Sequence, residues 1–120
     1  MSIVNSTRRK PLAARHRLCR SVWCKALGLM FHPQIKDFGL VFDFYKLSRP
    51  CLHNLFVFFP IDILFLDEKF KVVDLKKQFM PFTPHLMPKN KCRYVLELPA
   101  FTIDESGTKI GDTLRLDKVR

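Results

Sequence analysis

The sequence has no apolar run long enough to span a membrane as a helix, which takes about 20 consecutive apolar residues. Its most apolar stretch, LFVFFPIDILFL, covers only residues 55–66 and is interrupted by Pro60 and Asp62. The basic stretch RRKPLAARHRLCR near the start is not followed by the apolar segment of a secretory signal peptide. We therefore expect a cytoplasmic protein that makes no membrane contact.

Short motifs of the common enzyme classes are also missing. There is no Gly-x-Ser-x-Gly elbow, no phosphate-binding glycine loop and no cysteine adjacent to a histidine. Asp104 and Glu105 stand side by side, which does not give the two facing carboxyl groups of a glycoside hydrolase. Nothing in the sequence therefore requires an enzyme, and no cofactor is expected.

The four cysteines have spacings that match neither a zinc finger nor a zinc ribbon. They are Cys19, Cys24, Cys51 and Cys92. Without an export signal they are expected to be reduced, buried thiols, and no metal is predicted. A zinc site that also uses a histidine (His16, His53 or His85) remains the alternative.

The abundant residues favour a folded, β-rich chain. Hydrophobic residues make up 48% of the 120 positions, with twelve phenylalanines and eight prolines, a composition typical of a globular domain with β structure. A chain of this length fits one domain. We predict a flexible basic segment over residues 1–9 and a single β-rich domain over residues 10–120.

The formal charge of +10 is concentrated at the N-terminal end. Seven basic residues and no acidic ones precede residue 26: Arg8, Arg9, Lys10, Arg15, Arg17, Arg20 and Lys25. The rest of the chain has fourteen basic and eleven acidic residues. Such a segment is either a solvated basic edge or a contact surface for nucleic acid or another anionic partner.

Periodicity predicts about seven short strands and two short helices, a pattern typical of a compact β sandwich or barrel. The strands are predicted at residues 12–18 (an edge strand), 38–44, 61–77 (a hairpin), 92–98 and 113–116, with a further strand before Pro60. One helix is predicted over residues 21–31, and a second begins at Thr102 as its N-cap and ends at Gly107.

Four blocks in order carry a family resemblance: KALGLMF, LFVFFPIDILFLD, RYVLELPAFTI and GTKIGDTLRL. With these blocks the chain resembles, from about Thr7 to Leu116, the archaeal branch of the family called domain of unknown function 192. The resemblance implies a β-rich, jelly-roll-like fold and no established activity. Where the family commonly has LPAG, this chain has Phe101 in place of the glycine, which puts a tight glycine conformation there in doubt.

His53 and Asp62 are polar residues set into an apolar segment. A buried polar group costs about 1 to 3 kcal/mol if it is left unpaired, so each needs a partner. The two could meet as a ligand-binding or acid–base couple. Alternatively, Asp62 accepts backbone N–H groups at the Pro60 bend and His53 lies at a partly solvated strand start.

Arg93 and Glu97 stand four residues apart in one predicted strand, which places both on the same face. They could form a structural ion pair across strands or anchor an anionic or hydroxylated ligand.

The sequence as a whole predicts a non-catalytic domain that binds a small ligand or protein near His53, Asp62, Arg93 and Glu97. One alternative is a nucleic-acid-associated protein that uses the basic residues Arg8, Arg9, Lys10, Arg15, Arg17 and Arg20. The other is an enzyme with a His53 and Asp62 couple.

Overall fold

A computed structural model describes residues 2–19, 38–50, 59–80 and 86–117 of the chain. These residues form eight strands and one short helix. The strands are β1 (Ser2–Asn5), β2 (Lys10–Ala13), β3 (Arg15–Cys19), β4 (Phe38–Ser48), β5 (Ile61–Leu66), β6 (Val72–Phe79), β7 (Cys92–Pro99) and β8 (Leu114–Asp117), and the helix α1 is Thr102–Ser106.

The strands are arranged in two sheets. The smaller sheet has the order β2-β1-β8 and is antiparallel. The larger sheet has the order β3-β4-β7-β5-β6 and is antiparallel except where β3 runs parallel to β4. The fold is therefore mainly β, as predicted, and of the two predicted alternatives it is a sandwich of open sheets.

An apolar layer joins the two sheets. Ile3, Leu12 and Leu114 of the smaller sheet pack in one cluster with Leu64, Leu96 and Leu98 of the larger sheet, and all six are at least 95% buried. The sheets approach so closely at Gly39 that a Cβ there would lie 2.8 Å from the side chains of Ile3 and Leu98. A second cluster, with Leu40, Ile63 and Val95, covers the opposite face of the larger sheet.

Most of the predicted strands are confirmed. The hairpin over residues 61–77 corresponds to β5 and β6, the strand at 92–98 to β7, and the final strand to β8. The predicted strand at 12–18 is divided between β2 and β3, which belong to different sheets, and β3 is an edge strand as expected. The predicted helix over residues 21–31 and the strand before Pro60 lie outside the described residues.

The start of the chain differs from the prediction of a flexible segment over residues 1–9. Ser2–Asn5 form the central strand of the smaller sheet, and Ile3 and Asn5 are fully buried. A strand of four residues is too short for its alternation to be recognised against the basic turn that follows. Its neighbours β2 and β8 supply the hydrogen bonds that fix it.

A buried polar cluster attaches the turn after β1 to the loop before β8. Asn5 Nδ2 donates to Asp112 Oδ2 at 3.0 Å, and Arg8 Nε donates to the same oxygen at 2.6 Å. Burial by itself raises the pKa of Asp112, but these bonds and one from the Lys109 N–H outweigh it and hold the pKa below its ordinary value. Arg8 is therefore part of the fold.

Helix α1 begins differently from the prediction. Its N-cap position is occupied by Phe101, not Thr102, and no side chain of the cap residue bonds the helix. Thr102 Oγ1 instead donates to the Pro99 carbonyl at 2.7 Å. Gly107 ends the helix with a positive φ of 70°, as predicted.

Phe101 has a φ of 72°, a left-handed conformation that disfavours residues with a Cβ. The chain thus keeps at this position the conformation expected of a glycine. Half of the Phe101 side chain is exposed, so its partial burial contributes little free energy to offset the backbone strain.

Replacing Phe101 should therefore separate backbone strain from side-chain contacts. We expect Phe101→Gly to have a free energy of unfolding about 1 kcal/mol higher than Phe101→Ala, because only glycine adopts this φ without a Cβ clash. Urea unfolding of the two variants measures the difference. Equal stability would mean that the left-handed backbone carries no strain here.

Candidate functional site

Glu97 lies in the middle of β7, the central strand of the larger sheet. Its cross-strand partners are Leu40 on β4 and Ile63 on β5, and it is 93% buried. Because side chains alternate along a strand, Glu97 shares the face of these apolar partners, which is the face turned away from the smaller sheet. Its carboxyl group therefore has an apolar setting.

One oxygen of that carboxyl, Oε2, is buried and has no hydrogen-bond partner among the described residues. Removal from water disfavours the charged form of an acid. Burial accordingly raises the pKa of Glu97 from 4.5 to about 8. At neutral pH the side chain is mostly a neutral carboxylic acid, which can both donate and accept a hydrogen bond.

Asp62 is also buried, but both of its oxygens are engaged. Oδ1 accepts the backbone N–H of Gln78 at 2.9 Å, and Oδ2 accepts that of Ile103 at 2.8 Å. Ile103 lies in the first turn of α1, so Asp62 supplies from β5 the cap that Phe101 does not provide. Its cross-strand partner on β7 is Leu98, which places Asp62 and Glu97 on opposite faces of the sheet.

Arg93 pairs with Asp43, a residue that the sequence analysis did not single out. Arg93 Nε donates to Asp43 Oδ1 at 3.1 Å, and the guanidinium lies 5.0 Å from the centroid of the Tyr94 ring. This hydrogen bond raises the pKa of Arg93. The pair joins β7 to β4, so it is a cross-strand ion pair with Asp43 as the acid. The alternation of β4 could have indicated Asp43 as a buried acid that needs a cation.

The four predicted ligand residues are thus placed at different points. Asp62 and Glu97 face opposite ways, Arg93 is paired with Asp43, and His53 lies outside the described residues. The structure therefore does not bring Asp62 and Glu97 together in one groove, and a role of any of the four in ligand binding stays a prediction. A cavity of about 540 Å³ does exist between β2 and α1, but none of these four residues lines it.

The predicted nucleic-acid residues have different environments as well. Arg8 is bound to Asp112, whereas Arg9 and Lys10 are exposed in the turn and at the start of β2. The side chains of Arg15 and Arg17, and all of Arg20, lie outside the described part of the chain. Arg9 also lines a groove of about 410 Å³ on the smaller sheet, together with Val4, Pro11 and Arg115.

Cys92 is the one cysteine whose side chain is described. It is buried, and burial followed by the charge of Asp74 raises the pKa of its thiol to about 11. The thiol is therefore protonated and a poor nucleophile. The described residues contain no group of three or more side chains that could hold a metal ion.

As far as the structure describes the chain, no helix has the length and apolar content needed to cross a bilayer.

Comparisons with known proteins agree on one family. Residues 3–116 match the family domain of unknown function 192, described as Uncharacterized ACR. The chain is 31% identical over 114 residues to a UPF0127 protein of Thermococcus sibiricus, covering 93% of this chain and 72% of the relative. It is 27% identical to a UPF0127 protein of Pyrococcus horikoshii, with 94% and 96% of the two chains covered.

Two solved structures have the same fold. One, a putative transcription regulator from Sinorhizobium meliloti, has a TM-score of 0.84 and 23% identity, with 95% of this chain and 89% of that chain covered. The other, a protein of unknown function from Novosphingobium aromaticivorans, has a TM-score of 0.84 and 20% identity, with 96% and 82% covered. At this identity the likeness concerns the fold.

The two bonds of Asp62 predict a large effect of a small change. Asp62→Asn should lower the free energy of unfolding by about 1 to 3 kcal/mol, because an amide has one acceptor oxygen, so that one of the two backbone N–H groups faces the amide NH2 and loses its acceptor. Asp104→Asn is the control, since Asp104 is half exposed in an ion pair with Lys77 and should change stability by less than about 1 kcal/mol. Chemical denaturation measures the loss of unfolding free energy in both variants. Equal losses would contradict this role of Asp62.

The raised pKa of Glu97 predicts a pH-dependent stability. The unfolded chain releases this proton near pH 4.5 and the folded chain near pH 8, so the folded state binds more protons in between and stability falls as the pH rises. Relative to Glu97→Gln, the wild type should lose roughly 1 kcal/mol of unfolding free energy per pH unit over this window. Denaturation at several pH values measures it, and parallel curves for the two proteins would contradict it.

Proposed function

We propose that this chain, which belongs to the domain of unknown function 192 family, is a non-catalytic domain that binds a small polar ligand through Glu97. The observation that carries this proposal is the buried carboxyl with one oxygen unpartnered among the described residues. A buried polar atom without a partner costs about 1 to 3 kcal/mol. A buried group of this kind needs an explanation, and a ligand that supplies the missing hydrogen-bond partner provides one.

The chemistry of Glu97 restricts the class of ligand. A carboxyl with a pKa of about 8 is mostly neutral at pH 7 and offers one donor and one acceptor. A hydroxyl, an amide or a carboxylate of the ligand complements that pair. The apolar neighbours Leu40 and Ile63 would contact the carbon skeleton of the ligand, as in most small-molecule sites.

The other sequence candidates take supporting positions in this proposal. Asp62 attaches β6 and α1 to β5, and the Arg93–Asp43 pair attaches β7 to β4. His53, which lies outside the described residues, stays a candidate ligand contact from the sequence alone. The protein is proposed to act in the cytoplasm, again from the sequence.

A ligand screen with paired Glu97 variants tests the proposal. The wild type would be screened by ligand-observed NMR against sugars, polyols, hydroxy acids and small amides, and hits titrated into Glu97→Gln and Glu97→Leu. We expect Glu97→Leu to weaken binding about tenfold or more, since it removes one or two hydrogen bonds to a desolvated group, and Glu97→Gln to retain part of it.

The leucine variant also separates binding from folding. Glu97→Leu removes a buried unpaired polar group, so it should be at least as stable as the wild type. Glu68→Leu, the same change at an exposed position, is the control for binding. Hits whose affinity is the same in Glu97→Leu and Glu68→Leu would contradict the site.

A second candidate function is association with nucleic acid. The observation in its favour is that Arg9, in the turn after β1, and Lys10, at the start of β2, are exposed beside the Arg8–Asp112 pair. Contacts of such residues with phosphates release counterions, so the affinity would fall steeply as the salt concentration rises.

The enzyme hypothesis has less support. It needs the carboxylate of Asp62 to exchange a proton with His53, whereas each oxygen of Asp62 accepts a backbone N–H in the fold. These two bonds hold the carboxylate against the backbone of β6 and α1, so the fold accounts for Asp62 without a catalytic role.

A further inference from the structure

The cavity of about 540 Å³ between β2 and α1 has two walls. One wall is β2, the edge strand of the smaller sheet, and the other is α1 together with Pro99 and Ala100 before it. Cavities of this volume are typical of sites for small molecules. Glu97 is not among the described residues that line the cavity, so this cavity is separate from the proposed ligand site at Glu97.

The contacts of Asn5 align one end of β2 with one end of α1. Asn5 pairs with Lys10 across the smaller sheet. Its side-chain Nδ2 donates to Thr108 Oγ1 at 3.0 Å, and Thr108 follows Ser106, the last residue of α1, by two positions. Lys10 therefore lies near the C-terminal end of α1, where Glu105 and Ser106 line the same cavity.

The other end of β2 lies near the end of β7. Ala13 pairs with Ile3, and a Cβ at Gly39 would lie 2.8 Å from the side chains of both Ile3 and Leu98. This end of the cavity is lined by small apolar residues, which are Ala13, Ala14, Pro99 and Ala100. Their short side chains leave apolar space between the two walls.

The end of the cavity at Lys10 carries two opposite charges. Lys10 and Glu105 are exposed, and in the described part of the chain neither charged group takes part in an ion pair or a hydrogen bond. The hydroxyl at this end is already engaged, since Ser106 Oγ lies 2.7 Å from Thr108 Oγ1 in a hydrogen bond. Recognition of charge at this end therefore depends on Lys10 and Glu105.

A compact ligand suits this cavity better than an added peptide strand. Pro11, inside β2, has no backbone N–H to donate. Proline and lysine on an edge strand both oppose the addition of a further strand. A ligand here is therefore recognised through side chains and not by extension of the sheet.

We propose that this cavity binds a free α-amino acid with an apolar side chain, with the ligand carboxylate at Lys10 and the ligand ammonium at Glu105. Charge-assisted hydrogen bonds of this kind are the strong ones. Because both protein charges lie at one end of the cavity, the ligand must carry its own two charges close together. A peptide separates them by at least one residue, about 3.3 Å or more when extended. The apolar side chain then lies at the alanine and proline end, away from water.

Leucine and two analogues test the site in the full chain. N-acetyl-leucine lacks the ammonium, and leucinamide lacks the carboxylate. Each would be titrated at slightly acidic pH, where free α-amino groups are charged, and followed by backbone amide NMR shifts. We expect leucine to shift the amides of Ala13 and Ala100, which line the cavity. Each analogue should bind about three- to fivefold more weakly, because it loses one solvent-exposed ion pair.

Charge-removing variants assign each ligand group to its residue. Lys10→Gln should weaken leucine about three- to fivefold and leave leucinamide unchanged, because leucinamide has no carboxylate to lose a partner. Glu105→Gln should weaken leucine by a similar factor and leave N-acetyl-leucine unchanged. The controls are Lys91→Gln and Glu68→Gln, which remove the same charges at exposed positions outside the cavity. Each control should change the affinity for leucine by less than about twofold.

Three results would overturn the proposal. The first is a wild type whose amides do not shift with leucine. The second is an equal affinity for leucine in the wild type, Lys10→Gln and Glu105→Gln, which would mean that the two charges do not recognise the ligand. The third is a set of shifts around Glu97 on β7 with none at Ala13 or Ala100, which would place the amino acid in the other proposed site.

Discussion

The carboxylate of Asp62 joins three elements of the fold. None of the other described candidate residues from the sequence joins as many. From its buried position on β5 it accepts the N–H of Gln78 on β6 and the N–H of Ile103 in α1. These bonds hold the edge of the larger sheet and the helix that follows β7 in one arrangement. Because both donors are backbone groups, the same contact compensates for the irregular pairing between β5 and β6 and for the missing cap of the helix.

Glu97 is only one pair away on the neighbouring strand, yet its situation is the opposite. Asp62 pairs with Leu98 and faces the smaller sheet, whereas Glu97 pairs with Ile63 and faces the other way. Asp62 has a donor for each oxygen, and Glu97 has an oxygen without a partner in the described part of the chain. The hydrogen bonds of Asp62 stabilise the fold and so explain why this acid is buried. In the described part of the chain, no such bonds to Oε2 explain the burial of Glu97. That contrast is the physical basis for assigning binding to Glu97.

The strands could be predicted from sequence because their signals are local. Alternation in β7 and the pairing of β5 with β6 follow from apolar period and turn chemistry within a few residues. The role of β1 could not be predicted, because the burial of this four-residue strand results from the strands β2 and β8 that lie beside it. The partner of Arg93 was missed for a similar reason, because Asp43 is fifty positions away in the chain.

The same distinction applies to the candidate site. Sequence singled out Asp62 and Glu97 as polar residues in apolar surroundings, but it could not tell which one has its hydrogen bonds satisfied. The backbone conformation of Phe101 could not be predicted from the local sequence either. The backbone there keeps a φ of 72° although the residue has a Cβ, because contacts on either side determine the turn.

The assignment of ligand binding to Glu97 is tested most directly by the pKa of that residue, measured by NMR from the carboxyl carbon shift of the folded protein as a function of pH. If burial without a cationic partner among the described residues sets this pKa, the midpoint should lie near 8. A midpoint at or below the ordinary value of 4.5 would mean that a cation or a set of donors already satisfies the group. In that case Glu97 would be a structural residue like Asp62.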